Sequence, residues 1–175
     1  MPLNARVQRF LEGRNVPYEV LAHRLAYTAQ GVAHASHVSG WQMAKVVLVR
    51  SRSGPAMMAV LPASCRLDLG HFEEVTGTRD VALASEAYVH DVFPDCETGA
   101  MPPFGFDRRI TPRVFVDGSF VGEPEMVFNA GTHTDAIRMH YLDFAELVHP
   151  FVGCISCQPK PAASLVRRVG GTESV

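Results

Sequence analysis

The stretch that decides the fold is Ala44-Lys45-Val46-Val47-Leu48-Val49, which is followed by a second apolar run over residues 56–61. The six residues between these runs, Arg50-Ser51-Arg52-Ser53-Gly54-Pro55, are polar and typical of a hairpin turn. Because both runs are almost continuously apolar, they indicate strands that are buried on both faces. The pattern predicts two central strands joined as a hairpin.

Short helices and further strands are predicted on both sides of this hairpin. Apolar residues at Val7, Phe10 and Leu11 predict a first helix that ends near Gly13. Thr28 and Ser85 are suited to begin two more helices as N-caps. The other predicted elements are helices over 67–75 and 142–148 and strands over 16–21, 81–84, 113–116, 125–129 and 136–139. The strands over 113–116 and 125–129 are expected to form a second pair, joined by a turn.

Strands interspersed with short helices indicate a single α+β domain on a mixed sheet. From Gly153 onward, Pro, Ser, Gly and charged residues dominate, which predicts a flexible tail. We therefore expect one domain over residues 1–152 and a C-terminal tail over 153–175.

The composition limits the class of protein. The chain has 175 residues and a net charge of −2, which argues against a strongly basic nucleic-acid-binding protein. An enzyme that grips only one end of an RNA remains compatible with that charge. No apolar run approaches the roughly 18 residues of a membrane helix, and the N-terminus lacks the apolar region of a secretory signal. We expect a cytoplasmic protein that binds neither membrane nor DNA.

The cysteines and histidines do not predict a metal site. Cys154 and Cys157 have ligand-like spacing, but no second pair accompanies them. His34 and His37 lie three residues apart without a third ligand nearby. No phosphate loop or dinucleotide fingerprint is present. The sequence therefore predicts neither metal nor cofactor.

Lys45 is the first candidate for chemistry. The chain has only two lysines among its sixteen basic residues, so the position of each lysine is informative. A buried ammonium is costly unless it is paired, and burial lowers its pKa. The alternative is a lysine at a strand end that extends its ammonium to water. The residues alone leave both interpretations open.

Gly99-Ala100-Met101-Pro102-Pro103-Phe104-Gly105 is the second candidate. Such a stretch fits neither a helix nor a central strand, because proline fixes φ and glycine permits positive φ. A stiff loop of this kind could present backbone amides to a carbonyl oxygen or a developing oxyanion. The alternative is a rigid connection without chemistry.

Asn129-Ala130-Gly131-Thr132-His133 is the third candidate, at the end of a predicted strand. Polar groups beside a glycine at a strand end often line sites. Asn129 could hydrogen-bond a substrate, and His133 could relay a proton near neutral pH. The alternative is a turn followed by a surface histidine.

Taken together, these segments resemble the YbaK/ProX family of synthetase-associated editing domains. The resemblance covers about residues 7–152 and is specific as an ordered set. The matching segments are Tyr27-Thr28-Ala29-Gln30, Lys45-Val46-Val47-Leu48-Val49, Val60-Leu61-Pro62-Ala63-Ser64, Leu83-Ala84-Ser85-Glu86, Phe93-Pro94-Asp95-Cys96, Gly99 to Gly105, and Phe128 to His133.

The resemblance implies an α+β fold with a mixed, partly barrel-like sheet surrounded by short helices. It also implies a pocket for the 3′ end of a mischarged tRNA, whose aminoacyl ester the family hydrolyses. Carried over by position, the catalytic residues are Lys45 and the loop amides of Gly99, Ala100 and Met101. The substrate-binding residues are Thr28, Pro103, Phe104, Asn129, Gly131, Thr132 and His133. Besides the tRNA, an aminoacyl-tRNA synthetase is a candidate partner.

Two alternatives stay open at this point. Many relatives continue after Gly105 with an Asn-Leu-Tyr-Gly-like stretch, whereas this chain has Phe106-Asp107-Arg108-Arg109-Ile110. That departure would suit a tRNA- or synthetase-binding module that has lost catalysis. The mild net charge is also compatible with a hydrolase of small esters or aminoacyl adenylates.

Overall fold

The computed structural model describes residues 3–52, 54–106 and 113–156. Within these ranges the chain forms one sheet of eight strands and five short helices. The helices are α1 (Ala5–Glu12), α2 (Ala29–Ala35), α3 (Leu69–Thr76), α4 (Glu86–Val92) and α5 (Tyr141–Val148). The strands are β1 (Glu19–Ala22), β2 (Met43–Ser51), β3 (Met57–Pro62), β4 (Val81–Leu83), β5 (Arg113–Asp117), β6 (Glu125–Asn129), β7 (Asp135–His140) and β8 (Phe151–Gly153).

The helix ends follow the capping residues that the sequence contains. Thr28 Oγ1 accepts a hydrogen bond from the Gly31 amide at the start of α2, and Ser85 Oγ caps α4 in the same way. Asn4 caps α1, and Gly13 ends it. These polar side chains satisfy amides that the first turn of a helix leaves unpaired.

The predicted hairpin is confirmed as the centre of the sheet. β2 and β3 pair antiparallel from Ala44 opposite Pro62 to Val49 opposite Met57. All six residues of β3 are buried, as expected for an apolar strand covered on both faces.

The sheet is mixed, and its strand order is β1-β7-β6-β2-β3-β5-β8, with β4 paired to β2. The expectation of a partly barrel-like sheet is wrong, because β1 and β8 stand at opposite ends of this order in the described ranges. The expected pairing of the strands over 113–116 and 125–129 is also wrong. β5 lies parallel to β3, while β6 lies on the other side of the hairpin, beside β2. Their apolar residues are accommodated better against the buried hairpin than against each other.

The two faces of the sheet carry different helices. Ala44 and Leu48 of β2 belong to a large cluster that includes residues of α1, α4 and α5. Met43 and Val49 of the same strand belong to clusters with α2 and α3. Since side chains alternate along a strand, Lys45 points to the face that α2 and α3 cover.

The packed chain continues beyond residue 152, where the domain was expected to end. β8 reaches Gly153, and Ile155 is fully buried among residues of α3, β3 and β5. The Ile155 amide donates to Asp117 Oδ2 over 3.1 Å. This edge of the sheet therefore extends at least to Ser156, and the rest of the expected tail, with Cys157, lies outside the described residues. None of the helices in the described part of the chain could cross a membrane.

Phe104 lies in the aromatic core, where it contacts the rings of Phe10, Phe128 and Phe144 and is fully buried. We expect Phe104→Ala to lower the free energy of unfolding by about 3–5 kcal/mol, because it leaves a cavity among these rings. Phe151→Ala, at a ring that is 55% exposed, is the control and should cost much less. Denaturant unfolding measures both. A small loss of stability in Phe104→Ala together with lost substrate binding would contradict a packing role.

Candidate active site

The site is organised around a gap in the edge of β2. On one edge this strand pairs with β3 along most of its length. On the other edge, β6 pairs only with Met43 and Ala44, and β4 pairs only from Val49 onward. Residues 45–48 therefore face a space between two strands. The loop residues Thr98, Gly99 and Met101 line an apolar cavity of about 230 Å³ there, together with Val46, Val47 and Leu48.

Lys45 occupies the start of this gap. Its side chain is half-buried, and its Nζ donates a hydrogen bond to the Cys65 carbonyl. It lines a second cavity, of about 270 Å³, which we call the Lys45 pocket; the other lining residues are Thr28, Ala29, Gln30, Ala63, Ser64, Cys65 and Arg66. Burial lowers the pKa of Lys45, and the positive charge of Arg66 lowers it further, while Cys65 acts in the opposite direction.

The Gly99 loop is fixed by its own backbone hydrogen bonds. The Ala100 amide donates to the Glu97 carbonyl over 2.9 Å, so this amide is occupied inside the loop. No acceptor for the Gly99 or Met101 amide is found among the described residues. Gly99 has φ +85° with open space around a Cβ position, so backbone conformation and not lack of room favours glycine there. Of the three predicted oxyanion donors, Gly99 and Met101 fit the role and Ala100 does not.

A ladder of hydrogen bonds joins the Gly99 loop to the segment after β6. The Gly131 amide donates to the Ala100 carbonyl over 2.9 Å, and the Glu97 amide donates to the Gly131 carbonyl over 2.9 Å. Glu97 Oε2 accepts from the His133 amide at 2.5 Å. Two of the predicted segments thus form one rigid unit.

Asn129, at the end of β6, reaches the Gly99 loop. Its Nδ2 donates a long hydrogen bond, 3.4 Å, to the Gly99 carbonyl. Ala44 pairs with Phe128 in parallel register, and Lys45 and Asn129 directly follow these two residues. Their side chains therefore project from neighbouring strands on the same face of the sheet.

Two polar atoms of this region are buried without a hydrogen-bond partner in the described part of the chain, Asn129 Oδ1 and His133 Nδ1. Asn129 is 5% exposed and His133 is 8% exposed. A buried polar atom that lacks a partner costs free energy and is often a group that a ligand will satisfy. These two atoms are the buried groups of this region that a ligand could satisfy.

The remaining predicted residues fall into two groups. Thr28 lines the Lys45 pocket while it caps α2, and Thr132 donates to Asp135 Oδ2 over 2.8 Å, so both are beside the site. Gly131, with φ +94°, packs against Asn4 so closely that a Cβ would meet it at 2.9 Å. Pro103 is buried, and Phe104 is part of the aromatic core. Phe104 thus has a packing role and no surface for a substrate.

Sequence reasoning missed five residues of the region. Arg66, Gln30 and Ser64 line the Lys45 pocket, and Glu97 holds the loop as described above. Tyr27 is 70% exposed and places its ring against His133, with centroids 4.9 Å apart. The residues over 27–30 and 60–64 were part of the family resemblance, but nothing in the sequence placed Arg66 beside Lys45.

Cys96, which precedes the loop, is excluded as a nucleophile. Burial raises the pKa of its thiol to about 11, and Asp95 acts in the same direction. Cys96 is therefore protonated near neutral pH, whereas the thiolate is the reactive form.

Among the described residues, no three His, Cys, Asp or Glu side chains are grouped so that they could hold a metal ion. The residues Asp107 to Ile110, where the sequence departs from the family pattern, lie outside the described ranges.

Comparisons with known proteins agree with this architecture. A solved structure named "putative trans-editing enzyme for prolyl tRNA synthetase" is similar with a TM-score of 0.78 at 23% identity, covering 89% of this chain and 98% of that chain. At this identity the likeness shows a shared fold. A protein from a study of epitope grafting onto scaffold proteins by computational design is similar with a TM-score of 0.78 at 25% identity, covering 89% of this chain and 97% of that chain.

None of the curated proteins matches the sequence significantly. One family model does match, that of the aminoacyl-tRNA editing domain, over residues 23–147. This range includes α2, the β2–β3 hairpin, the Gly99 loop and the segment after β6, which together build the site. The protein belongs to the aminoacyl-tRNA editing domain family.

Proposed function

We propose that the protein is a deacylase that hydrolyses the ester of a mischarged tRNA in trans. The observation that carries the proposal is the gap in the edge of β2. It brings a half-buried lysine, a preorganised glycine loop and two buried polar atoms without partners to one region of the sheet. An editing reaction needs these elements: an anchor for the 3′ end, donors for a developing oxyanion, and groups that orient the aminoacyl ester.

In the proposed reaction, Lys45 anchors the 3′ end of the tRNA through one of its oxygens. Water is the nucleophile that attacks the ester carbonyl, and a neighbouring hydroxyl of the terminal ribose serves as base. A new bond forms between the water oxygen and the carbonyl carbon, and the bond to the ribose oxygen breaks. The ribose oxygen takes up one proton of the water, so the products are a tRNA with a free hydroxyl and the free amino acid.

The amides of Gly99 and Met101 stabilise the negative charge that develops on the carbonyl oxygen. Both residues line the largely apolar cavity beside β2, and apolar surroundings strengthen a hydrogen bond to an anion. Asn129 Oδ1 accepts a hydrogen bond from the substrate, and His133 Nδ1 forms a second one with it. Because water attacks the ester directly, the reaction needs no covalent enzyme intermediate.

The need for such a site follows from the limits of synthetases. A synthetase pocket rejects an amino acid that lacks one methylene by only about 1–3 kcal/mol, so a second hydrolytic site corrects the errors. Which amino acid is removed depends on the cavity beside the Gly99 loop. Docking to an aminoacyl-tRNA synthetase remains a prediction from the family resemblance.

The first prediction concerns Lys45. In a panel of alanyl-, seryl-, threonyl- and cysteinyl-tRNA, we expect rapid deacylation of one or two species. Lys45→Ala should lower that rate roughly a hundredfold or more, as loss of a charged anchor does in other enzymes. Lys45→Arg should not restore it, because a planar guanidinium does not replace a compact ammonium.

The chain provides a control in its other lysine, Lys160, which lies outside the described residues and whose replacement by alanine should leave the rate unchanged. A folded Lys45→Ala protein with near-normal deacylation would contradict the assignment. Retained tRNA binding with no hydrolysis of any species by the unaltered protein would favour the binding module that has lost catalysis.

The second prediction concerns the loop. Gly99→Ala should displace the Gly99 and Met101 amides and lower the deacylation rate by at least about tenfold, since small misplacements of reacting groups are costly. Gly122→Ala is a matched control, because Gly122 has φ +88° and equally open space around its Cβ position. Both variants carry the same kind of backbone strain and a similar loss of stability. Equal deacylation rates in the two variants would show that the loop conformation has no part in the reaction.

A further inference from the structure

The Lys45 pocket contains a second cation that the proposed reaction does not use. Arg66 lines the pocket together with Lys45, although the two residues lie 21 positions apart in the sequence. The antiparallel hairpin explains the approach, because Lys45 pairs with Leu61 and the chain after β3 turns back across the start of β2. The Ala63 amide donates to the Met43 carbonyl over 2.7 Å and the Ser64 amide to the Gly40 carbonyl over 3.3 Å, which fixes this return.

The pocket has two positive charges, and none of the residues that line it is acidic. Asp68, the carboxylate nearest to Arg66 in sequence, is not among the residues that line the pocket, and its Oδ1 accepts a hydrogen bond from the His71 amide as the N-cap of α3. Both side chains line one pocket, and the positive charge of Arg66 acts to lower the pKa of Lys45. Bringing two like charges together is unfavourable unless an anion lies between them.

The neutral groups of the pocket suit an oxyanion as well. Ser64 is half-buried and brings a hydroxyl, while Gln30 is held at the wall by a hydrogen bond from its Nε2 to the Ala63 carbonyl, 3.2 Å. The volume of about 270 Å³ leaves room for a tetrahedral anion with several water molecules, each of which occupies about 30 Å³ in the liquid.

We propose that the Lys45 pocket binds the phosphate of the 3′-terminal nucleotide, with Arg66 as the second cationic ligand beside Lys45. The inference rests on the proposed function, which supplies a nucleotide beside the ester, and it assigns to Arg66 a role in holding the RNA. Lys45 acts as a point charge on the phosphate. Arg66 contributes the forked hydrogen bonds that a guanidinium makes to phosphate oxygens. The phosphate fixes the ribose, so the ester is directed toward the Gly99 loop.

The test is binding of an RNA minihelix that ends in CCA and carries no amino acid, measured over a range of salt concentrations. It requires no catalysis, so its result is independent of whether any ester is hydrolysed. Each phosphate contact contributes about 0.7–0.9 to the slope of log affinity against log salt. Arg66→Gln should lower that slope by about one contact. It should also weaken binding about tenfold, as expected for one charged hydrogen bond.

Arg79→Gln is the matched control. It removes the same charge from an exposed arginine that borders a different cavity, beside Glu73 and Glu74. We expect its affinity and salt slope to equal those of the unaltered protein. If Arg66→Gln behaves like Arg79→Gln, the inference is overturned, whatever the deacylation panel shows.

Lys45→Gln combined with Arg66→Gln tests whether the two cations hold the same group. If both contact one phosphate, the double variant should lose less affinity than the sum of the single losses, because the interactions depend on each other. Fully additive losses would place the two side chains on different groups and contradict a shared phosphate.

Adenosine monophosphate tests whether the anion that the pocket binds belongs to a small phosphate ester and not to an RNA. We expect the minihelix to bind with an affinity that depends on Arg66 and adenosine monophosphate to bind at most weakly. If adenosine monophosphate binds as tightly as the minihelix, and Arg66→Gln abolishes that binding, the pocket is an anion site but its ligand is not an RNA. That result would contradict the proposal.

Discussion

The site depends on how the edges of β2 are paired. β3 covers one edge, and the other edge is divided between β6 at the start of the strand and β4 at its end. A backbone edge in the interior of a sheet normally pairs along its whole length, because unpaired backbone groups are costly when buried. Here residues 45–47 pair with neither strand, and backbone pairing resumes at Leu48, whose carbonyl accepts a hydrogen bond from the Ala84 amide. The gap gives a central strand an accessible stretch on which a site can be built.

The loop that fills the gap is rigid for a different reason. Glu97 and Ala100 are hydrogen-bonded to each other and to Gly131, so the loop and the segment after β6 hold each other in place. These bonds decide which amides remain for a substrate. The Ala100 amide is occupied, and Asn129 Oδ1 and His133 Nδ1 stay without partners in the described part of the chain. Such unpaired buried atoms reduce stability by about 1–3 kcal/mol each, a cost that binding of a substrate would remove.

The division into two cavities separates two kinds of interaction. The Lys45 pocket is positive and polar, whereas the cavity beside the Gly99 loop is lined mainly by apolar residues of β2, β4 and α4. The net charge of the chain is −2, so its overall charge gives no sign of the first cavity. Local charge, concentrated in a pocket with low-dielectric walls, matters more for an anionic ligand than the net value. In the proposed function, the nucleotide is held on one side of Lys45 and the aminoacyl group on the other.

Local signals in the sequence determined much of this architecture. The apolar runs of the hairpin, the capping residues Thr28 and Ser85 and the stop at Gly13 act within a few positions, and all are confirmed. The unusual place of Lys45 in an apolar strand and the composition of the Gly99 loop likewise indicated the region of the site. These features depend on the chemistry of adjacent residues, which a sequence states directly.

Only the tertiary structure decided which strands are neighbours and which side chains share a cavity. The pattern of β5 and β6 suits several partners equally well, and their placement on opposite sides of the hairpin results from competition among distant apolar surfaces. In the same way, the glycines and prolines from Gly99 to Gly105 predict a stiff loop, but not that Phe104 turns into the core or that the Ala100 amide is occupied. Arg66 reaches Lys45 because the chain returns along a hairpin. Such contacts join residues far apart in the chain, so they depend on the packing of the whole domain and not on the local sequence.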